Sequence, residues 1–277
     1  MPTISAVINT RNEEANIRYC LESVKWCDEI IVVDMESEDK TTAIAGEYTA
    51  KIFTHEKVLA FDVARKFAVE KATGDWILLI DADELVPKSL SDKLREIARS
   101  GDTDVAYMPF KTYIMGVWIT HTGWWPDYHP RFFKRGSIEF VETVHAFMRV
   151  KDSAKKIHLS REEVNAIEHF AYYDSTHFIT KLNRYTTIEA QHLYENKTSF
   201  SIYNMFTQSC REFIFRYFLY RGYKDGYRGF FLSVMMAFYR ALSYMKLWEK
   251  WQNKDTSVEL KYAELKNNIV KEYSKDT

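Results

Sequence analysis

Three acidic clusters concentrate the chemistry of this sequence: Thr10-Arg11-Asn12-Glu13-Glu14, Asp34-Met35-Glu36-Ser37-Glu38-Asp39, and Asp81-Ala82-Asp83-Glu84. Each follows a short apolar run. Carboxylates gathered at neighbouring strand ends repel one another unless a cation or hydrogen-bond donors lie between them, and a divalent ion is the economical occupant. The Asp81-x-Asp83 pair closes the run Trp76 to Ile80, where alternate side chains share one face of a strand. Oxygen ligands of this kind suit Mg²⁺ or Mn²⁺. Such ions bind through one or two carboxylates and keep positions open for phosphate oxygens, which makes Asp83 the metal-ligand candidate and implies a phosphate-bearing substrate. The same pair would equally serve as N-terminal carboxylates for a helix starting near Pro87.

The elements that must position these clusters are read from hydrophobic periodicity. Buried-strand runs lie at Ile4 to Asn9, Glu29 to Asp34, Ala50 to Thr54 and Trp76 to Ile80, with helical patterns between them at about Ala15 to Lys25, Lys40 to Tyr48 and Ala60 to Ala72. Strands joined by helical crossovers predict an α/β fold with a mostly parallel sheet flanked by helices, whose ligands bind outside the carboxyl ends of the strands. From Asp104 shorter strands are expected at Val105 to Pro109, Lys111 to Thr120 and Ile138 to Val141. Beyond Asp174 the pattern is helical, at about Ser175 to Glu195, Ser199 to Tyr220, Asp225 to Trp251 and Val258 to Tyr273. We therefore expect residues 1–170 to form the catalytic domain and 171–277 a C-terminal helical appendage, a candidate for membrane association.

Composition sets the outer bounds. The 277 residues carry 38 basic and 39 acidic side chains, which gives no global field of the kind that marks a nucleic-acid binder; no nucleic-acid partner is expected. The charge is unevenly shared: residues 170–277 hold 16 Lys or Arg against 11 Asp or Glu. Three scattered cysteines (Cys20, Cys27, Cys210) exclude a disulfide framework and favour a reducing, cytoplasmic setting. No signal peptide is evident, and the longest apolar stretch, Gly229 to Tyr239, is about half of the roughly 20 residues that a bilayer span requires. No glycine-rich turn follows the first strand and there is no Walker-type lysine loop, so Rossmann dinucleotide binding is excluded. Asn and Glu side chains stand there instead. A nucleotide would bond through its base and ribose to them, with its diphosphate held by metal at Asp83.

The blocks ISAVINTRNEEANIRYCLESV, EIIVVDMESEDKT, ARKFAVEKATGDWILLIDADE and PRFFKRG, in this order, resemble family 2 glycosyltransferases, inverting nucleotide-sugar-dependent enzymes of the fold called GT-A. The likeness covers about the first 150 residues. It is nearest to the bacterial branch that builds lipopolysaccharide core or related surface glycans, which the tail KDGYRGFFLSVMMAFYRALSYMKLWE also resembles. The resemblance implies that Thr10, Asn12 and Glu13 border the nucleoside, Asp34 contacts the base, Arg65 lies near the nucleotide, and Asp81 and Asp83 hold the ribose and the metal-diphosphate. Lys66 stands where relatives usually have Asn, and Ala146 where a glutamate commonly follows the histidine.

Inversion at an anomeric carbon needs a group to take the acceptor hydroxyl's proton; Glu142, His145 and Asp127 are the candidates, with Glu142 preferred as the substitute for the glutamate that Ala146 replaces and Asp127 held in reserve. Arg131, Lys134 and Arg135 fit diphosphate or an anionic acceptor, or else a solvated basic turn. Trp118, His121, Trp124, Trp125 and Tyr128 read either as a sugar-stacking acceptor rim or as an aromatic core.

In the tail, Phe and Tyr interleave with Arg211, Arg216, Arg221, Lys224 and Arg228, as in helices that lie on anionic membranes. Arginines five residues apart do not share one helical face, and a helical core with snorkelling basic ends reads equally well. The expected activity is transfer from a nucleotide sugar, with a UDP-sugar as the first candidate, to a hydroxyl of a glycan or glycolipid acceptor at the inner face of the cell membrane. Its rivals are a nucleotidyltransferase and a non-catalytic sugar-nucleotide binding protein.

Overall fold

The computed structural model describes residues 1–58, 61–141, 147–254 and 256–273. The strands are β1 (Ile4–Thr10), β2 (Glu29–Asp34), β3 (Ile52–Thr54), β4 (Trp76–Asp81), β5 (Glu84–Leu85), β6 (Val105–Ile114), β7 (Val117–Trp118), β8 (Asp127–Lys134), β9 (Ile138–Val141), β10 (Phe147–Val150), β11 (Lys156–His158) and β12 (Ile167–Tyr172). The helices are α1 (Ile17–Val24), α2 (Thr41–Ala45), α3 (Phe61–Glu70), α4 (Lys88–Ser100), α5 (Ser175–Glu195), α6 (Ile202–Ile214), α7 (Gly226–Gln252) and α8 (Val258–Tyr273).

Among the described residues one ten-stranded sheet runs β3-β2-β1-β4-β8-β6-β12-β5, with β7 and β11 also on β6, while β9 and β10 pair separately. The strands β3, β2, β1 and β4 are parallel. Every residue of β1 is buried, as a central parallel strand covered on both faces requires. One face, with Ala6, Ile8, Leu78 and Ile80, packs on α1 and α4 through Leu21, Val24, Leu90 and Leu94. The other, with Val7, Ile31, Leu79 and Phe133, packs on α3 through Ala68. The result is a three-layer α/β/α domain of GT-A type. The chain order reverses direction at β1, between β2 and β4, and this switch point opens a crevice at the strands' carboxyl ends.

Past β4 the sheet becomes mixed. β8 inserts antiparallel between β4 and β6, and β12 then runs parallel to β6 while β5 pairs antiparallel with β12. No strand is expected at 127–134 from the sequence, because Pro130 cannot donate to a ladder and the following basic residues read as a turn. A bulge accommodates it: Ala106 pairs with Phe132 and Tyr107 with Pro130, so Arg131 is the extra residue. The two strands expected at 105–109 and 111–120 are one continuous β6 followed by a tight turn, where Met115 and Gly116 take φ of 52° and 77°.

The tail packs onto this sheet by a third cluster, in which Ile114 and Ile119 meet Phe178 and Leu182 of α5 and Leu232 of α7. Asp174 caps α5 by accepting from the His177 amide. After α6 the chain continues as a π-helical turn, Phe215–Leu219, in place of the longer α-helix expected. Within the described residues, no helix is long and apolar enough to cross a membrane.

Candidate active site

The crevice at the switch point is a cleft of about 920 Å³, lined by the ends of β1 and β4, the start of β8, β12, and one face of α5. A second cavity of about 900 Å³ lies at the opposite ends of β1 and β2. There Glu29 is already satisfied by Ser5 and Thr73, so the carboxyl-end cleft is the candidate site.

Asp81 ends β4 beside Asn9 of β1. Its Oδ2 accepts from Arg65 Nη2 at 2.6 Å and from Arg131 Nη2 at 2.9 Å, and Arg131 also donates to Glu84 Oε1 at 2.9 Å. The bulge in β8 aims Arg131 inward, and its side chain is only 8% exposed. Glu84 Oε2 accepts the Asp81 amide at 2.8 Å, which fixes the turn that carries both aspartates. Burial alone would raise the Asp81 carboxyl, but the two guanidinium groups hold it well below the usual range. Burial wins at Glu84, whose pKa is raised although Arg131 opposes the shift.

Asp83 lies two residues beyond the end of β4, between β4 and β5, and faces the tail. Its Oδ2 is 3.3 Å from Lys181 Nζ of α5 and 3.7 Å from His169 Nε2 of β12. The Phe170 amide donates to the Asp83 carbonyl at 2.9 Å, so β12 and the aspartate loop are locked together. Burial raises the Asp83 carboxyl and His169 outweighs it, giving a lowered pKa; in return, the Asp83 charge overcomes burial and raises His169.

Ligand atoms of Asp83, Glu84 and His169 all lie within 4.8 Å of one another. Both Glu84 oxygens are already engaged, whereas Asp81 Oδ1 is buried with no hydrogen-bond partner among the described residues. Two carboxylates and an imidazole form a donor set that fits Mg²⁺ or Mn²⁺.

Of the sequence candidates, Thr10, Asn12, Glu13, Arg65, Asp81, Asp83, Asp127 and Arg131 all line this one cleft. The loop after β1 is stitched to the loop after β2: Asn12 Oδ1 accepts the Glu38 amide at 2.8 Å, and the Glu13 amide donates to Thr41 Oγ1 at 2.8 Å. Asn12 takes a left-handed φ of 52° to make this turn. Asp34 sits in register with Thr10, and both its oxygens accept from Ser37, from the amide at 2.9 Å and the hydroxyl at 2.5 Å. Burial, reinforced by the Asp83 charge, pushes Glu13 up to about 7.

Asp127 opens β8, with Oδ2 3.0 Å from His129 Nε2. Burial raises its pKa but His129 more than offsets this, so the carboxylate is favoured. Glu142 and His145 lie outside the described residues. Among the aromatic group, Trp124 lines the cleft. Trp118 and Trp125 pack edge to face on each other, His121 is held by Asp225, and Tyr128 donates to the Leu159 carbonyl. Lys134 of the expected basic turn is paired with Asp104. Sequence reasoning missed His169 and Lys181. The alternation Ile167, His169, Ala171 along β12 is a local signal for His169 alone, and it points to the cleft only once β12 is known to pair with β5; Lys181 of α5 has none.

Residues 5–158 match the sequence family described as Glycosyl transferase family 2. The chain belongs to that family. This glycosyltransferase is 32% identical to an uncharacterized glycosyltransferase of Rickettsia felis over 97% of its own length and 98% of the relative's. It is 25% identical to the lipopolysaccharide core biosynthesis glycosyltransferase LpsC of Rhizobium meliloti, over 89% of its own length and 92% of the relative's. Among solved structures, glucosyl-3-phosphoglycerate synthase from Mycobacterium tuberculosis, in complex with Mg²⁺ and UDP, is similar at 23% identity with a TM-score of 0.34. That likeness covers 42% of this chain and 44% of the other.

Proposed function

We propose that this family 2 glycosyltransferase is a metal-assisted inverting enzyme. It moves a sugar from a nucleotide donor, with a UDP-sugar as the first candidate, to a hydroxyl of a lipid-anchored glycan such as lipopolysaccharide core. One observation carries the reading: Asp81 and Asp83 sit at the β1/β4 switch point, in a cleft of about 920 Å³ that Arg65, Arg131 and Lys181 also enter. Nucleoside contacts fall to Thr10, Asn12, Glu13 and Asp34 at the neighbouring strand ends. Asp83 and His169 would hold a divalent ion. Bound there, the ion would neutralise charge on the leaving diphosphate.

Asp127 serves as the base. In the transfer the acceptor oxygen bonds to the anomeric carbon, its proton passes to the Asp127 carboxylate, and the bond to the diphosphate breaks with its electron pair leaving on the diphosphate oxygen. His129, 3.0 Å from Asp127, orients that carboxylate. Arg131 Nη1 is buried with no hydrogen-bond partner among the described residues and could donate to a diphosphate oxygen.

The tail supports a lipid-anchored acceptor. Every residue of α6 is exposed or half-buried, and Tyr203, Phe206, Phe218, Leu219, Tyr227 and Phe231 are each more than half exposed, near exposed Arg211, Arg221, Lys224 and Arg228. Such a surface suits an anionic membrane. The likeness to LpsC supports the same acceptor class.

The test is turnover of a panel of nucleotide sugars with Mn²⁺ and a membrane-lipid extract, followed by release of nucleoside diphosphate and by the anomeric configuration of the product. Consumption of one donor with an inverted product supports the reading. Consumption of none, or a retained configuration, overturns it.

A further inference from the structure

Of the described helices α8 has the least cover: residues 256–271 are exposed without interruption. Its start is nevertheless fixed. Ser257 Oγ accepts the Leu260 amide at 3.3 Å, and Lys261 Nζ donates to Asn253 Oδ1 at 2.9 Å, just past the end of α7. A lone helix of this length is marginal in water, and most helical stability in proteins comes from packing one apolar face. The apolar side chains of α8 lack such packing, with Tyr262, Leu265 and Ile269 exposed by 58%, 58% and 57%.

These side chains are patterned. Val258, Tyr262, Leu265 and Ile269 follow one another at intervals of four, three and four residues. At about 100° per residue they fall within an arc of about 60°, the narrow seam of a two-helix coiled coil rather than the broad stripe of a helix on a globular core. Leu260 and Val270 are exposed too, but lie off the seam.

The charges beside the seam select its occupant. Glu259 and Lys266 flank it on one side, Lys261 and Asn268 on the other. When a second α8 is set antiparallel, Tyr262 meets the partner's Leu265 and Val258 meets the partner's Ile269. Glu259 then stands opposite the partner's Lys266, and the two-fold axis repeats that ion pair. On the other flank Lys261 faces the partner's Asn268, with no like-charge contact. A parallel pair in register would instead set Lys261 beside the partner's Lys266, which repels it. Hydrogen bonds from its own amide and from Ser257 lower the Glu259 pKa, so the carboxylate is charged. An anionic bilayer suits this helix less well, because α8 holds three lysines against three glutamates whereas Arg211, Arg221, Lys224 and Arg228 stand exposed on the surface of α6 and α7.

We propose that α8 is a self-association helix: two copies of this chain pair antiparallel through Val258, Tyr262, Leu265 and Ile269, in a register fixed by Glu259 and Lys266. The pairing is independent of the donor and acceptor readings. With 16 residues α8 is about 24 Å long. Such an interface is smaller than the roughly 1,200 Å² at which standard interfaces begin, so the dimer is weak, with a dissociation constant on the order of 10 μM.

Sedimentation equilibrium of the full chain without lipid, from about 1 to about 200 μM, tests this. Wild type should pass from monomer to dimer across that range. The double change Leu265→Ser and Ile269→Ser should stay monomeric, whereas Leu260→Ser, an exposed apolar change off the seam, should dimerise as wild type does. Because every changed side chain is exposed, all variants should keep the wild-type thermal midpoint. Glu259→Lys and Lys266→Glu should each weaken the dimer about fivefold or more, and mixing the two variants should restore it, since each supplies the charge that the other lacks. Wild type that is monomeric at the highest concentration overturns the proposal. So does a dimer that survives the double seam change, or one that is as tight in Glu259→Lys as in wild type.

Discussion

At the β1/β4 switch point charged side chains are buried and bonded to one another, whereas along α6 and α7 aromatic side chains stand exposed beside exposed arginines. The two regions depart from the ordinary burial rule in opposite directions. Taking Asp81, Glu84 and Arg131 out of water carries a desolvation cost that their pairing repays only in part. Leaving Phe206, Phe218 and Phe231 in water forgoes about 25 cal/mol for each Å² of apolar surface. Neither arrangement serves stability first. Sites where local rules are broken in this way are where function is expected, the first in binding a charged ligand and the second in meeting an apolar surface.

The sharpest contrast between the regions is their response to truncation. Asp81→Ala should abolish transfer and destabilise the fold by about 3 kcal/mol, because Arg65 and Arg131 would then face each other without their shared carboxylate. Phe206→Ser on α6 should change stability by less than about 0.5 kcal/mol. Urea unfolding of both variants measures this. A stable Asp81→Ala protein would mean that the buried cluster is not held by pairing.

Asp83→Asn separates ligand binding from folding within the cluster. Transfer should fall by at least about 100-fold while urea unfolding shows a loss smaller than that of Asp81→Ala, since Asp83 touches its cations at 3.3 and 3.7 Å where Asp81 touches them at 2.6 and 2.9 Å. Near-normal turnover in Mn²⁺ would remove Asp83 from the metal site.

A smaller effect tests the electrostatics of the same cleft. Burial and the Asp83 charge raise Glu13 to about 7 from 4.5, so its protonated form is favoured on folding. The stability this gives is fully present below about pH 4.5 and is lost as pH rises through 7. Glu13→Gln should therefore gain on the order of 3 kcal/mol relative to wild type between pH 4.5 and 8, read from urea midpoints at both pH values. A constant difference would show that Glu13 is not desolvated.

On the exposed side, replacing Phe218, Phe231 and Trp248 together by Ser should lower affinity for anionic vesicles by about tenfold with little change in thermal midpoint. Unchanged vesicle binding by the folded variant would break the membrane half of the comparison.

How legible these regions were in the sequence also differs. The parallel half was readable because each strand is a continuous apolar run that ends in a polar cluster, and Asp81, Asp83 and Glu13 came with it. β8 was not, since Pro130 and a bulge disguise it, yet that bulge is what delivers Arg131 to Asp81. His169 and Lys181 were hidden for another reason. Their approach to Asp83 depends on β12 pairing with β5 and on where α5 docks, which are long-range facts with no local periodicity. In the tail the aromatic and basic composition was plain, but which side chains face outward was not. Arg216 turns inward to Glu212 and the Thr122 carbonyl, while Arg211 and Arg221 remain exposed.

The central claim is that the Asp81–Asp83 turn holds a nucleoside diphosphate through a divalent ion. Calorimetric titration of UDP into wild type and Asp83→Asn, each with Mn²⁺ and with EDTA, tests it most directly. Binding to wild type should weaken at least tenfold, about 1.4 kcal/mol, when the ion is removed, and binding to Asp83→Asn should be weak and indifferent to metal. Equal affinity in all four titrations would contradict the claim.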